Sequence, residues 1–411
     1  MRILFVGTQF PDSSAPTRGT YNAALCLALQ KRHQVHAISP RAFTEAAPWS
    51  PSRKQFQAPE IMRSCGLTVD YPTYWYTPRC FQHQYGRQMW WSVRKSVQKA
   101  ITEFQPDAVL CYWAHPDGEV GLQAAQLAGI PSAVIVGGTD VLVLPRLPKR
   151  GPCVQRVLSQ SDAVISVSEG LRRATCELGI SPERVQTIYQ GIDESVFNRS
   201  VSREEARLRL GLCPDFVHLV WVGRIVPVKA IPMLLQAVSL LRDRQVRFKL
   251  HLLGDGPSRP GLEKMSAQMG LDSYVRFQGP VAHDRLADWY RAADLTVLSS
   301  DSEGLPNVLR ESLACGTPFV STDVGSLNEI ADPRWSRLSP KGDSQAFADA
   351  IEAMLIPEAK EAAAAYQART WDDCAHETAD LLERLRDRSP FTRNSSANPV
   401  RRVPLQPAAT R

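Results

Sequence analysis

The sequence predicts an α/β protein made of two Rossmann-like, doubly wound domains facing a central cleft. Three observations carry this expectation. Short Val/Ile/Leu runs alternate with longer helical patterns, the signature of βαβ units and a parallel sheet. The series occurs twice, separated by a stretch at 189–201, YQGIDESVFNRSV, in which periodicity lapses. The chain has 411 residues, enough for two or three domains with cores of their own.

The first series opens with MRILFVG. Its apolar run is too short for a signal-peptide core and is followed at once by a turn, so it reads as a strand. Further strands are predicted near 34–39, 107–112, 132–137, 162–167 and 185–189, with helices near 18–31, 87–103, 117–128 and 168–178. AVIVG and AVISV are continuous apolar runs, as strands covered on both faces should be.

An insertion at 40–86 interrupts this series, holding Pro40, Pro48, Pro51, Pro59, Pro72 and Pro78 among aromatic and basic residues. Loops of that length are functional or disordered, and this one follows a strand end, beside the expected cleft. In the helix after it, Met89, Trp90, Val93, Val97 and Ile101 recur at three- and four-residue spacing, which predicts a buried stripe. The Tyr, Trp, Phe, Arg and Lys residues of 71–101 also suit a membrane interface or a lipid-phosphate acceptor.

The segment 189–201 reads as a linker, and EEARLRLGL starts a polar amphipathic helix after it. Strands follow near 217–223, 249–254, 274–279, 295–300 and 318–322, each with a helical segment behind it. The expected division is therefore an N-terminal Rossmann-like domain at 1–195 and a C-terminal one at 196–370. A terminal helix at 371–388 is expected to pack back toward the first domain. Residues 389–411 are rich in Pro, Ser, Asn and Arg without periodicity and are expected to be disordered.

Composition excludes several classes. Lys plus Arg number 48 against 42 Asp plus Glu, and the resulting +6 is too small for a nucleic-acid polyelectrolyte. Most of it lies in residues 1–195, where 20 basic and 15 acidic residues leave +5, a bias that fits an anionic acceptor or membrane surface. The nine cysteines form no C-x-x-C pair, which suits reduced thiols rather than a disulfide framework or zinc ribbon. No apolar stretch approaches the roughly 18 residues of a membrane span. The expected setting is cytoplasmic, with peripheral attachment to the inner membrane face.

The chemistry concentrates in two loops. DSEGLPNVLRE at 301–311 places Glu303 in a strand–helix loop and Glu311 inside the helix that Pro306 and Asn307 open. Two carboxylates so placed can hold hydroxyl groups at two points of an elongated ligand. The free N–H groups of Asn307, Val308 and Leu309 would meet an anion between them. A nucleotide sugar has that layout, although an exposed helix with two incidental glutamates would read the same way. VGRIVPVKA at 222–230 then delivers Arg224 and Lys229 to another strand end, where a guanidinium and an ammonium form a diphosphate site that needs no metal. LLGDGP adds Gly254 and Gly256 at a third junction, where a close approach to a ligand and a plain tight turn remain equal readings.

Taken in order, VGRIVPVKA, LLGDGP and VRFQGPVAHDRLADWYRAADLTVLSSDSEGLPNVLRESLACGTPFVSTDVGS closely resemble the donor-binding domain of glycosyltransferase family 4. The first half agrees more loosely through PTRGTYN, YWAHPDG, GGTDV, VSEGL and YQGID, which look most like the teichuronic-acid biosynthesis branch. The resemblance implies the GT-B fold, with 1–195 as the acceptor-binding and 196–370 as the donor-binding domain, and transfer of a sugar, with retention of configuration, from a nucleoside-diphosphate donor. That donor, UDP- or GDP-linked, is a co-substrate, and neither cofactor nor metal is implied. A saccharide or lipid-linked acceptor completes the reaction, in polysaccharide or glycolipid biosynthesis.

Residue by residue, the resemblance assigns Arg224 and Lys229 to the diphosphate, Glu303 to the sugar hydroxyls and Glu311 to the ribose. Backbone near Asn307, Val308, Leu309 and Gly254 would contact the donor, and Gly19 would let the first-domain loop approach from the other side. His115 matches a histidine near the reacting carbon, and Asp140 is a candidate for the acceptor side or for capping the next helix. Departures from the family pattern occur at Arg18, Gln190, Ala230 and Ser326 and bear on donor identity and loop geometry. A dehydrogenase would need G-x-G-x-x-G after the first strand, which VGTQFPDSSAP does not offer. A GT-B epimerase or phosphorylase and a non-catalytic nucleotide-sugar-binding protein share the architecture and stay open.

Overall fold

The computed structural model describes residues 1–46 and 56–388. The chain from Met1 to Thr187 contributes β1 (Arg2–Val6), β2 (Gln34–Ile38), β3 (Arg41–Ala42), β4 (Thr68–Asp70), β5 (Thr73–Tyr74), β6 (Ala108–Tyr112), β7 (Ser132–Val136), β8 (Ala163–Ser166) and β9 (Val185–Thr187). Seven of them form a parallel sheet in the order β4-β2-β1-β6-β7-β8-β9, while β3 and β5 pair separately. A second parallel sheet follows, with β10 (Val217–Val222), β11 (Phe248–Leu253), β12 (Val275–Gly279), β13 (Leu295–Leu298), β14 (Phe319–Thr322) and β15 (Ser336–Ser339) in the order β12-β11-β10-β13-β14-β15. Winding reverses between β1 and β6 in the first sheet and between β10 and β13 in the second. Those switch points open crevices at the strand carboxyl ends, where such sheets bind ligands.

Burial on both faces explains the apolar runs. Every residue of AVLCY in β6 and SAVIV in β7 is buried. The Tyr85–Phe104 helix turns Met89, Val93 and Val97 inward as predicted, with Trp90 and Ile101 half-buried beside them. The Trp371–Arg388 helix crosses back onto the Thr20–Gln30 helix, and Cys374, Ala375, Ala379 and Leu382 enter the first core. Isolated elsewhere, Leu219, Trp221, Phe248 and Leu250 anchor the core of the second sheet.

Several elements escaped the sequence reading. Part of the 40–86 insertion is regular, since it supplies β3, β4, β5 and a short helix, Glu60–Ser64. Strands of two or three residues are too short to show a period. The helix Gly151–Gln160 begins with Gly-Pro, which resembles a turn but is compatible with a first helical turn. Edge strand β15, SRLS, is too polar to stand out. Pro48 and Pro51 and the expected disordered tail at 389–411 lie outside the described residues. All nine cysteines are unpaired. No described helix is long and apolar enough to cross a membrane.

Candidate active site

At the second switch point, the loops leaving β10 and β13 are stitched together. Asp301 N donates to Val228 O at 2.7 Å, and Ser299 Oγ donates to Lys229 O at 2.9 Å. The loop after β11 backs this pair, because Ile225 N donates to Asp255 O at 2.9 Å. Gly254 permits that approach: at φ 138° a Cβ would run into the Gly223 carbonyl oxygen. Its nearest partner is thus the chain's own β10 loop, and the plain structural reading accounts for this glycine.

The stitching brings Lys229 and Glu303 into contact. Lys229 Nζ lies 2.6 Å from Glu303 Oε1, which also accepts from Ser300 Oγ at 2.5 Å. Arg224 stands exposed on the same loop. The Asn307–Ala314 helix starts after Pro306, which has no side chain to cap its first N–H groups, so Asn307, Val308 and Leu309 lie at an uncapped positive end. Glu311, nearly buried one turn further in, accepts from Tyr290 Oη at 3.1 Å and faces His283 Nε2 at 3.4 Å. The hydrogen bond with Glu311 holds the His283 pKa above its usual value. Asn307, Glu311 and His283 line a cavity of about 270 Å³ together with Thr20, Tyr21 and Asp193. Glu303 and Lys229 lie outside that lining, on the neighbouring turn.

The first sheet meets this site through the loops leaving β1 and β7. Gly19, at φ 56°, precedes the Thr20–Gln30 helix, and a Cβ there would strike the Gln9 backbone. The loop it fits against is held from within by a wholly buried ion pair, Arg41 Nη2 to Asp12 Oδ2 at 2.8 Å. Arg41 also donates to Thr8 O at 2.9 Å and Phe10 O at 2.6 Å, closing the loop around its guanidinium. Asp117 Oδ1 accepts from Thr8 N at 2.5 Å, and burial lifts the Asp117 pKa to about 6.

Two assignments require correction. Asp140 is wholly buried and presents nothing to an acceptor: it accepts from Gly137 N at 3.1 Å, Gly138 N at 2.9 Å and Ala114 N at 3.3 Å. It therefore fixes the β6 and β7 loops from within the short helix Thr139–Leu142, whose N-cap position is Gly138. His115 does not join Glu303 and Lys229. Its ring is 1% exposed and lines a separate pocket of about 600 Å³ with Arg87, Glu119 and Arg156. The 301–306 loop is instead approached by Gly137, whose carbonyl oxygen lies 3.4 Å from where a Cβ on Gly304 would sit. Burial, with Arg150 and Arg156 nearby, lowers the His115 pKa to about 4, and its Nδ1 is buried without a partner.

Polar contacts join the two halves. Glu329 accepts from Glu169 N at 2.9 Å and Gly170 N at 2.8 Å, capping the Glu169–Glu177 helix from across the cleft. Ser326 Oγ donates to Ser168 Oγ at 2.8 Å, which gives the departure at this position a role between the halves. Gln190, another departure, holds Asn307 Nδ2 at 3.2 Å through its side chain and buried Arg310 through its carbonyl oxygen. Asp12, Arg41, Asp117, Arg310 and Glu329 were not found by sequence reasoning. Each acts on a residue distant in the chain; Asp117 stands in YWAHPDG and Arg310 in DSEGLPNVLRE, but neither motif showed what the side chain would hold.

Two doubly wound parallel sheets whose carboxyl-end loops meet across a cleft define a protein of the GT-B fold. Residues 19–196 match the family model described as Glycosyltransferase Family 4, and residues 217–356 match that of Glycosyl transferases group 1. A teichuronic acid biosynthesis glycosyltransferase of Bacillus subtilis, TuaC, is 29% identical over 361 residues, covering 85% of this chain and 88% of that protein. D-inositol 3-phosphate glycosyltransferase 2 of Catenulispora acidiphila is 34% identical over 302 residues, covering 66% and 69%. The chain belongs to glycosyltransferase family 4. Sucrose-phosphate synthase of Thermosynechococcus elongatus superposes with a TM-score of 0.73 at 22% identity, over 93% of this chain and 98% of that one. HepE of Anabaena in complex with UDP-glucose does so with 0.70 at 20% identity, over 94% and 100%. Both show the shared fold.

Proposed function

We propose that this enzyme transfers a sugar, with retention of configuration, from a UDP- or GDP-linked donor to an acceptor hydroxyl in polysaccharide or glycolipid biosynthesis. The observation that carries the reading is the contact of Lys229 with Glu303 at the second switch point, beside Arg224 and the uncapped Asn307–Ala314 helix. With donor bound, the diphosphate takes Lys229, Arg224 and the helix N–H groups, and Glu303 is released to the sugar hydroxyls. Glu311, held by Tyr290 and His283, receives the ribose in the cavity.

The bond between the anomeric carbon and the diphosphate oxygen breaks as the acceptor oxygen bonds to the same face of that carbon. The acceptor proton passes to the departing diphosphate oxygen. Preorganised cations stabilise the charge that develops there, so the step does not require a metal. The reacting hydroxyl of the acceptor lies in the cleft beside the donor, and a more distant anionic part of the acceptor occupies the pocket under His115, which Arg87 lines together with the Arg156–Glu119 ion pair. The protein works as a peripheral enzyme on the cytoplasmic face of an anionic membrane. Nucleoside-diphosphate release, screened over UDP-, GDP- and ADP-sugars with the product anomer read by NMR, tests the proposal. Release from none of them, or a product of inverted configuration, overturns it.

A further inference from the structure

The peripheral reading requires a surface. Residues 71–102 contain Arg79, Arg87, Arg94, Lys95 and Lys99 and no Asp or Glu. Residues 141–161 contain four more Lys or Arg and again no Asp or Glu. The fold brings the two stretches together, because Cys153 Sγ donates to His83 O at 3.2 Å. Residues of both stretches also line the mouth of the pocket under His115.

Large apolar side chains are exposed on the same face. Trp75, Phe81 and Trp91 are 51%, 60% and 61% exposed, and they are the only Phe or Trp residues among the exposed large hydrophobic side chains of the described residues. Leu147, on the second stretch, is also exposed. The outward residues of the Tyr85–Phe104 helix, Arg87, Trp91 and Lys95, recur every four positions opposite the buried Met89, Val93 and Val97. Arg94 lies over the Trp91 ring at 4.3 Å, so a cation accompanies the exposed indole. Strand β5 runs on into this helix face, where Trp75 N donates to Ser92 Oγ at 3.0 Å and Thr77 N to Gln88 Oε1 at 3.1 Å.

We infer that this face docks on an anionic lipid bilayer, with the aromatic rings at headgroup depth and the Lys and Arg side chains against lipid phosphates. Charge complementarity selects the occupant: Lys99 pairs with Glu103 and Arg156 with Glu119, but the surface around the exposed Trp and Phe remains predominantly positive and fits a negatively charged interface. The inference rests on the peripheral reading and gives it a location. Docking there sets the mouth of the His115 pocket against the headgroups, so an acceptor carried by the bilayer reaches the pocket without leaving the membrane.

The test is sedimentation of the full chain with vesicles of phosphatidylcholine alone and of phosphatidylcholine mixed with phosphatidylglycerol, at low and high salt. Two variants are compared, Phe81→Ser with Trp91→Ser, and Arg94→Glu with Lys95→Glu. None of these four residues belongs to the proposed catalytic machinery, so donor hydrolysis checks that each variant is folded. The expected result is salt-sensitive binding to the mixed vesicles only, weakened at least roughly tenfold in both variants with hydrolysis unchanged. Absence of wild-type binding to either vesicle overturns the docking face and the peripheral reading together. Binding that both variants retain overturns the face alone, and equal binding to neutral vesicles overturns the role of charge.

Discussion

Replacing Lys229 by Met probes the proposed site most directly. The ammonium is 2.6 Å from Glu303, and the two side chains are only 21% and 11% exposed. At that depth two roles are possible: Lys229 can neutralise Glu303 as a structural pair, or it can stabilise the leaving diphosphate during turnover. A double-mutant cycle with Glu303→Gln separates them. If the pair is structural only, Lys229→Met leaves a buried carboxylate with Ser300 as its remaining partner, and adding Glu303→Gln restores function. If Lys229 serves the diphosphate, its loss removes a preorganised donor worth about 3–4 kcal/mol, or roughly 10²–10³-fold in kcat/KM, and Glu303→Gln restores nothing. The assay is nucleoside-diphosphate release under kcat/KM conditions for the wild type and three variants. Recovery of the double variant to within a few-fold of wild type would refute the leaving-group role.

Three further outcomes are expected. Asp12→Ala strands the buried Arg41 guanidinium and should lower unfolding free energy by about 3–5 kcal/mol in urea titrations, with Asp12→Ala/Arg41→Met recovering part of it; a loss of less than about 1 kcal/mol would contradict the burial of that pair. Because burial raises the Asp117 pKa from 3.8 to about 6, its protonated form favours the fold. That contribution is present below the unfolded pKa and lost as pH rises through about 6, so stability should fall by about 3 kcal/mol across this window, and Asp117→Asn should flatten the slope. Glu329→Ala removes two charge-assisted hydrogen bonds that join the halves, each worth about 1.5–3 kcal/mol; small-angle scattering should show a larger radius of gyration, and an unchanged radius would show that the halves are held elsewhere.

How far each feature could be read from the sequence depended on the range of the interaction behind it. Both parallel sheets were legible because burial on two faces leaves continuous apolar runs, and the stripe of the 85–104 helix was legible because burial on one face leaves a period. The loop residues Arg224, Lys229, Glu303 and Glu311 could be picked out because each follows a strand end and belongs to a short motif. Their pairing could not, since Lys229 and Glu303 are 74 positions apart and meet only because the β10 and β13 loops flank one switch point.

The same limit explains His115 and Asp140. Motif position implied that both face the reaction, but side-chain direction depends on what packs around a loop. Asp140 turns inward because three backbone N–H groups converge on it. His115 turns away because the helices at 85–104, 117–128 and 151–160 enclose a separate pocket at their first turns. The basic bias of the first half was countable in the sequence, whereas its gathering around one pocket mouth depended on two acid-free stretches meeting at Cys153 and His83. Period and composition are local properties of a chain and survive in its sequence. Which charges neutralise one another, and which remain for a ligand, is decided only when distant loops are brought to the same sheet edge.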